Sequence, residues 1–153
     1  MEPDDVMDRI TAAVELGHGG EQDRAAEALH DLWTEIGSDG DALHRCGIAH
    51  ALADLQPDPA DELRWDLRAL GAAAEITDER TAQAGMESSA TGLFPSLHLN
   101  VGEAYRKLGD VDAARRHLAL GLVAVDDLQD DGYGAMIRRG LNGLQDRLEQ
   151  TSR

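Results

Sequence analysis

Chain-breaking residues divide this sequence into short apolar-periodic stretches, and that punctuation restricts the fold more than any other feature. "GHGG" (17–20), "GSDGD" (37–41), "QPDPADEL" (56–63) and "DDLQDDGYG" (126–134) are the breaks, with Gly109-Asp110 between two further stretches. Gly, Pro and Asp supply turn geometries and helix caps that other side chains resist. Between the breaks, apolar residues recur at three- and four-residue intervals, the period of one helix face. The pattern predicts an all-α chain of about seven helices joined as antiparallel pairs.

Asp4 or Asp5 is placed to cap a first helix, with Val6, Ile10, Ala13, Val14 and Leu16 inward. A second helix from about Glu21 turns Ala25, Ala28, Leu29, Leu32, Trp33 and Ile36 inward. The third carries Leu43, Cys46, Ile48, Ala49, Leu52 and Leu55. Asp58 and Pro59 form a cap and first turn for a fourth, which holds Leu63, Trp65, Leu67, Leu70 and Ala73 and fades near Ile76. Residues 77–94 lack a sustained apolar period. Their first part reads as a prolongation of the fourth helix, and "GMESSATG" as a loop. Pro95 opens a fifth helix, Gly109 stops it, and Asp110 caps a sixth that runs to about Val125. In a last helix, 134–149, Ile137, Leu141, Leu144 and Leu148 make a single stripe, the form of a helix that caps an exposed core.

Composition agrees with helices. Hydrophobic residues are 42% but aromatic ones only 3%, so Leu, Ala, Val and Ile must build the core. Ala-rich interiors suit close helix packing and suit sheets poorly. At 153 residues the chain has the length of a single domain. A net charge of −16 opposes binding to nucleic acid, where Lys and Arg must replace counterions, and to anionic membranes. It permits a basic partner, and acids spread along the chain also serve solubility. All but one of the 14 bases are Arg, which reads as bacterial, GC-rich coding. One cysteine, an acidic N-terminus without a signal-peptide pattern and no apolar span of about 20 residues predict a cytoplasmic protein.

Residues 95–127 supply Val101-Gly102, Tyr105, Gly109, Ala114, Leu118 and Gly121-Leu122 in order. This resembles the tetratricopeptide repeat (TPR), a helix-turn-helix of about 34 residues. The closing proline of that family is absent, and His98 stands at its large early position. In 6–36, Ala12-Ala13, Leu16, Gly20, Ala25, Leu29 and Leu32 fall at corresponding spacings. In 43–72, Ala49-His50, Ala53, Pro57, Leu63 and Ala69-Leu70 correspond loosely. Residues 77–94 then read as an insertion and 134–149 as a capping helix. The resemblance implies a short right-handed solenoid with a concave face that takes peptide segments. On that face it places Ser96, Leu99, Asn100, Glu103, Arg106 and Lys107, and from the earlier units Met7, Ile10, Thr11, Val14, His44, Gly47, Ile48 and Ala51. In relatives that clamp a terminal carboxylate, an Asn at the place of Asn100 bonds peptide backbone and basic residues bind the carboxylate, a role open to Arg106 and Lys107. The earlier units offer no second Asn or clamp lysine. The resemblance therefore implies a mostly apolar groove, Ile10, Val14 and Ile48 included, with one polar end. Such a groove suits an amphipathic helix or the chain's own terminal helix.

Other constellations weigh less. Cys46 and His50 share a helix face and could supply half of a metal site, but a buried thiol also behaves as a small hydrophobe. Asp127, Gln129, Asp131 and Gly132 match the opening of a calcium loop, whose closing acid falls on Arg138, a cation. Neither "GSDG" nor "ESSA" has a nucleophile-elbow context. "GHGG" lacks the strand and lysine of a phosphate loop. The expected function is a non-catalytic protein- or peptide-binding scaffold without cofactor. The alternatives are a self-associating homodimer module and a small metal- or ligand-binding regulator.

Overall fold

Helices begin where a side chain takes up the unpaired amides of the first turn. Asp4 accepts from the Met7 amide at 3.1 Å and opens α1 (Asp5–His18). A glycine turn leads to α2 (Gln22–Ile36). Asp41 accepts from Leu43 and His44 at the start of α3 (Ala42–Asp54). Asp58 accepts from Ala60 at 2.9 Å, with Pro59 in the first turn of α4 (Pro59–Ala73). Then come α5 (Asp78–Gln83), a 3-10 turn (Ala90–Leu93), α6 (Phe94–Lys107), α7 (Val111–Ala124), a second 3-10 turn (Val125–Asp127) and α8 (Gly132–Thr151). The computed structural model describes residues 4–86, 89–128 and 131–151, and among these the regular structure is helical, with no strand. No helix among the described residues is long and apolar enough to cross a membrane.

The chain divides into two compact units, Met1–Ile76 and Thr77–Arg153. In the first, α3 packs against α1, α2 and α4. It buries Leu43, Cys46, Ile48, Ala49, Ala51, Leu52 and Ala53, so apolar residues occupy nearly its whole circumference, as a surrounded helix requires. Ala69, Ala72 and Ala73 give α4 a small-residue face. His44 Nε2 lies 3.0 Å from the Asp4 carboxylate, joining the starts of α1 and α3. Trp33 and Trp65 meet edge to face at 5.1 Å and link α2 to α4, with the Arg68 guanidinium 4.4 Å above Trp65. Both tryptophans serve packing between helix pairs. Asp66, on α4, is 1% exposed; apolar periodicity gave no sign of it.

The expected prolongation of the fourth helix does not form. α4 stops at Ala73, and Thr77 Oγ1 accepts from the Arg80 amide at 3.1 Å to start the separate α5. Thr followed by Asp78 and Glu79 is itself a helix-start signal, a cap with acids at the positive end of the dipole. That signal prevails over the alanine run before it. Asp78 also accepts from the Ala90 amide at 2.8 Å, fixing the 3-10 turn that precedes α6. Residues 87 and 88 of the expected loop lie outside the described residues.

In the second unit α6, α7 and α8 pack on one another. Gly109 (φ +84°) makes the turn between α6 and α7, a conformation that a Cβ disfavours. Asp110 then caps α7 through the Ala113 amide, and Asp131 accepts from Gly134 at the start of α8. Three glycines seat leucines across the helix contacts. A Cβ on Gly102 (α6) would lie 2.9 Å from Leu144, one on Gly121 (α7) 2.8 Å from Leu141, and one on Gly140 (α8) 2.6 Å from Leu99. The stripe expected on the last helix is buried as predicted: Ile137, Leu141, Leu144 and Leu148 join Ala114, Leu118, Val125 and Leu128 in one cluster. Gly102 therefore serves α8 first. The α7 carbonyl it approaches, that of Ala114, lies farther away at 3.5 Å.

Candidate functional site

Asn100, Glu103, Arg106 and Lys107 all lie on α6. Glu103 accepts from Arg106 Nε at 3.0 Å and also from Arg147 on α8. Its side chain is only 18% exposed, so the two guanidinium groups face a partly desolvated carboxylate, where charge-assisted bonds are strongest. Glu103 is thus an ionic tie from α6 to α8, and Arg106 is engaged by that tie. Asn100 is half-buried and Lys107 exposed. With Leu99 seated at Gly140, the chain's own terminal helix covers part of the α6 face that the repeat pattern assigned to a partner.

His98 and His117 face each other along the α6–α7 seam with their Nδ1 atoms 3.1 Å apart. Phe94 stacks beyond His98 and Tyr105 beyond His117, at 6.0 and 5.6 Å. Desolvation lowers the pKa of both histidines, helped at His98 by His117 and at His117 by Arg116. His98, at the large early position of the repeat pattern, packs on α7, where a Cβ on Gly121 would lie 3.4 Å from it. The pairing with His117 was missed, although folding the sequence about Gly109 brings the two rows of side chains together. Tyr105 stacks on His117 of α7 and also packs against the apolar cluster that α7 and α8 share.

In the first unit, Ile48 has no exposed surface and Ile10 only 6%. Neither can offer area to a partner: both are core residues, and a Cβ on Gly47 of α3 would touch Ile10 of α1 at 3.5 Å. Repeat register placed them on a face, and packing within the unit buries both. Burial pushes the Cys46 thiol up to about 11, so it keeps its proton at neutral pH and is a poor metal ligand. Among the described residues no three His, Cys, Asp or Glu side chains are grouped to hold a metal ion. Arg138 donates to the main-chain carbonyls of Val125 and Leu128 at 3.2 and 3.4 Å, which places a cation against the 3-10 turn that follows α7. Gln129, of the calcium-like pattern, lies outside the described residues.

Val14 does reach open space. It lines a half-open cavity of about 250 Å³ between α1, α2 and α3. Ala13, Leu29 and Ala51, all at most 7% exposed, form an apolar floor. His18, Gln22 and Asp54, at the ends of their helices, bring polar groups to the lining, with Gly17 and Leu55 between. Sequence periodicity passes over such a site because its lining comes from helix termini, where a break is read as punctuation. The one available signal was Gly17, which a Cβ would bring within 3.3 Å of Leu55. No family model matches the chain, and neither a curated protein nor a solved structure matches it.

Proposed function

We propose that the chain is a non-catalytic scaffold of TPR-like helix pairs that binds a segment of another protein. The observation that carries this reading is the cavity between α1, α2 and α3, apolar in its floor, polar among its other lining residues and open to the surface. Recognition sites for side chains have this form. The packing supports it too: α1 touches both α2 and α3, and α2 also touches α3, as consecutive pairs do in a stack. Selection of a displayed random-peptide library on the immobilised full chain tests the reading. A recurring sequence is expected, whose synthetic peptide binds in solution with a Kd of roughly micromolar order. Failure to enrich any sequence over blank resin ends the proposal.

Self-association is the second reading. Leu120 and Val123 on α7 and Tyr133 and Met136 on α8 keep 51, 74, 46 and 51% of their surface exposed. Where such groups lie side by side they form a contact surface. Sedimentation equilibrium decides: a dimer weakened by Val123→Asp supports it, and a monomer at every concentration removes it.

A further inference from the structure

We infer that the cavity of the first unit is an anchor pocket for a basic segment: it takes one large apolar side chain, and Asp54 pairs with a Lys or Arg beside that anchor. This rests on the scaffold reading above and names the partner's chemistry. Size comes first. At about 250 Å³ the cavity exceeds the roughly 150 Å³ that holds a benzene ring and falls short of the roughly 300 Å³ at which drug-sized pockets begin. It fits a single aromatic or branched aliphatic group. The floor of Ala13, Leu29 and Ala51 supplies the apolar walls such an anchor needs.

Charge selects the rest of the segment. The net −16 of the chain is divided unevenly between the units. Met1–Ile76 holds 18 acids against 5 bases, a net −13, and Thr77–Arg153 holds 12 against 9, a net −3. Acids stand on both units, but bases are fewest on the unit that contains the cavity, and the net negative charge is concentrated there. Asp54 stands in the lining itself. A shallower depression sharing Gln22 is lined by Glu21 and Asp23, with Arg24 tied to Glu21 at 2.8 Å. An acidic segment approaching this surface is repelled, and a basic one is steered towards it.

The test selects random peptides on the wild-type full chain. It then measures the synthetic winners by fluorescence anisotropy against Ala51→Phe, which fills the floor, Val14→Trp, which fills the space from a half-exposed position, and Asp54→Lys. Winners should carry one large apolar residue close to a Lys or Arg. Filling the cavity should weaken them about thirtyfold or more, and Asp54→Lys about tenfold. Where circular dichroism shows Ala51→Phe unfolded, Val14→Trp is scored alone. Winners that bind both filled variants as well as wild type overturn the pocket and leave the scaffold reading intact. Winners that need the cavity but lack basic residues, or ignore Asp54→Lys, overturn the charge assignment. If nothing is selected, the scaffold reading fails and the pocket with it.

Discussion

The contact between His98 and His117 sets a rule on protons. Two Nδ1 atoms 3.1 Å apart share a hydrogen bond only if one donates and the other accepts, so at least one ring must be neutral. Both pKa values are lowered in the folded chain, by burial above all. As pH falls through the ordinary value of about 6.5, the unfolded chain takes up these protons first. It binds more protons than the native state there, so stability rises with pH. This share of it is complete above about 6.5 and is lost as pH falls towards the folded values. The urea midpoint should therefore drop between about pH 7.5 and about pH 5.5, and drop less in His117→Phe. Equal drops would show that the pair is not the source. A second residue-level expectation concerns the seat of Leu144 on Gly102. Leu144→Ala should cost about 2–5 kcal/mol, since the side chain is fully buried. Gly102→Ala brings a Cβ to 2.9 Å from Leu144 Cδ2 and should destabilise the wild type. In the Leu144→Ala background the clash is gone, and the helix preference for Ala over Gly, about 1 kcal/mol, should make the same change favourable. A double-mutant cycle in urea reads the coupling, and additive effects would contradict the seat.

At the scale of elements, α8 shows what sequence can and cannot convey. Its stripe of Ile137, Leu141, Leu144 and Leu148 is legible because one helix face repeats locally. Asp58, Asp110 and Gly109 were legible for the same reason: each acts on amides or dihedrals within a few residues. The partners of α8 were not legible. Leu141 finds Gly121, Leu144 finds Gly102 and Arg147 finds Glu103, and each pair joins residues 20 or more positions apart that only tertiary packing brings together. The same limit explains the candidate site. Repeat register listed Val14 with Ile10 and Ile48, yet packing buries two and leaves one at a cavity. Arg138 illustrates the element's anchoring. Its donation to the carbonyls of Val125 and Leu128 ties α8 to the 3-10 turn after α7, where the Val125 carbonyl also accepts from the Leu128 amide. Arg138→Met keeps the apolar stem and removes the donors, so it should cost about 1–2 kcal/mol. A chemical-denaturation curve checks this, and a midpoint unchanged from wild type would mean that water serves those carbonyls equally well.

Over the whole molecule, the uneven division of charge opposes folding of one unit more than the other. Compaction of Met1–Ile76 brings a net −13 together, and self-repulsion of this kind destabilises the folded state. Ion pairs act against it, among them Arg9 with Glu35 at 2.8 Å, but those two side chains are 43 and 56% exposed. Exposed pairs contribute little to stability and are screened by the same salt. With 18 acids and only 5 bases in the unit, pairs cannot match the excess, so screening should relieve more repulsion than attraction. The thermal midpoint is thus expected to rise as sodium chloride increases from about 0.02 M to about 0.3 M, where the Debye length shrinks below the spacing of most surface charges. Glu15→Lys combined with Glu27→Lys tests the cause. Both positions are exposed, and Lys at 27 would lie one helical turn from Asp23 and from Asp31, where opposite charges attract. The variant should be more stable than wild type at low salt and should respond less to added salt. A wild-type midpoint that falls with salt would mean that the ion pairs outweigh the repulsion.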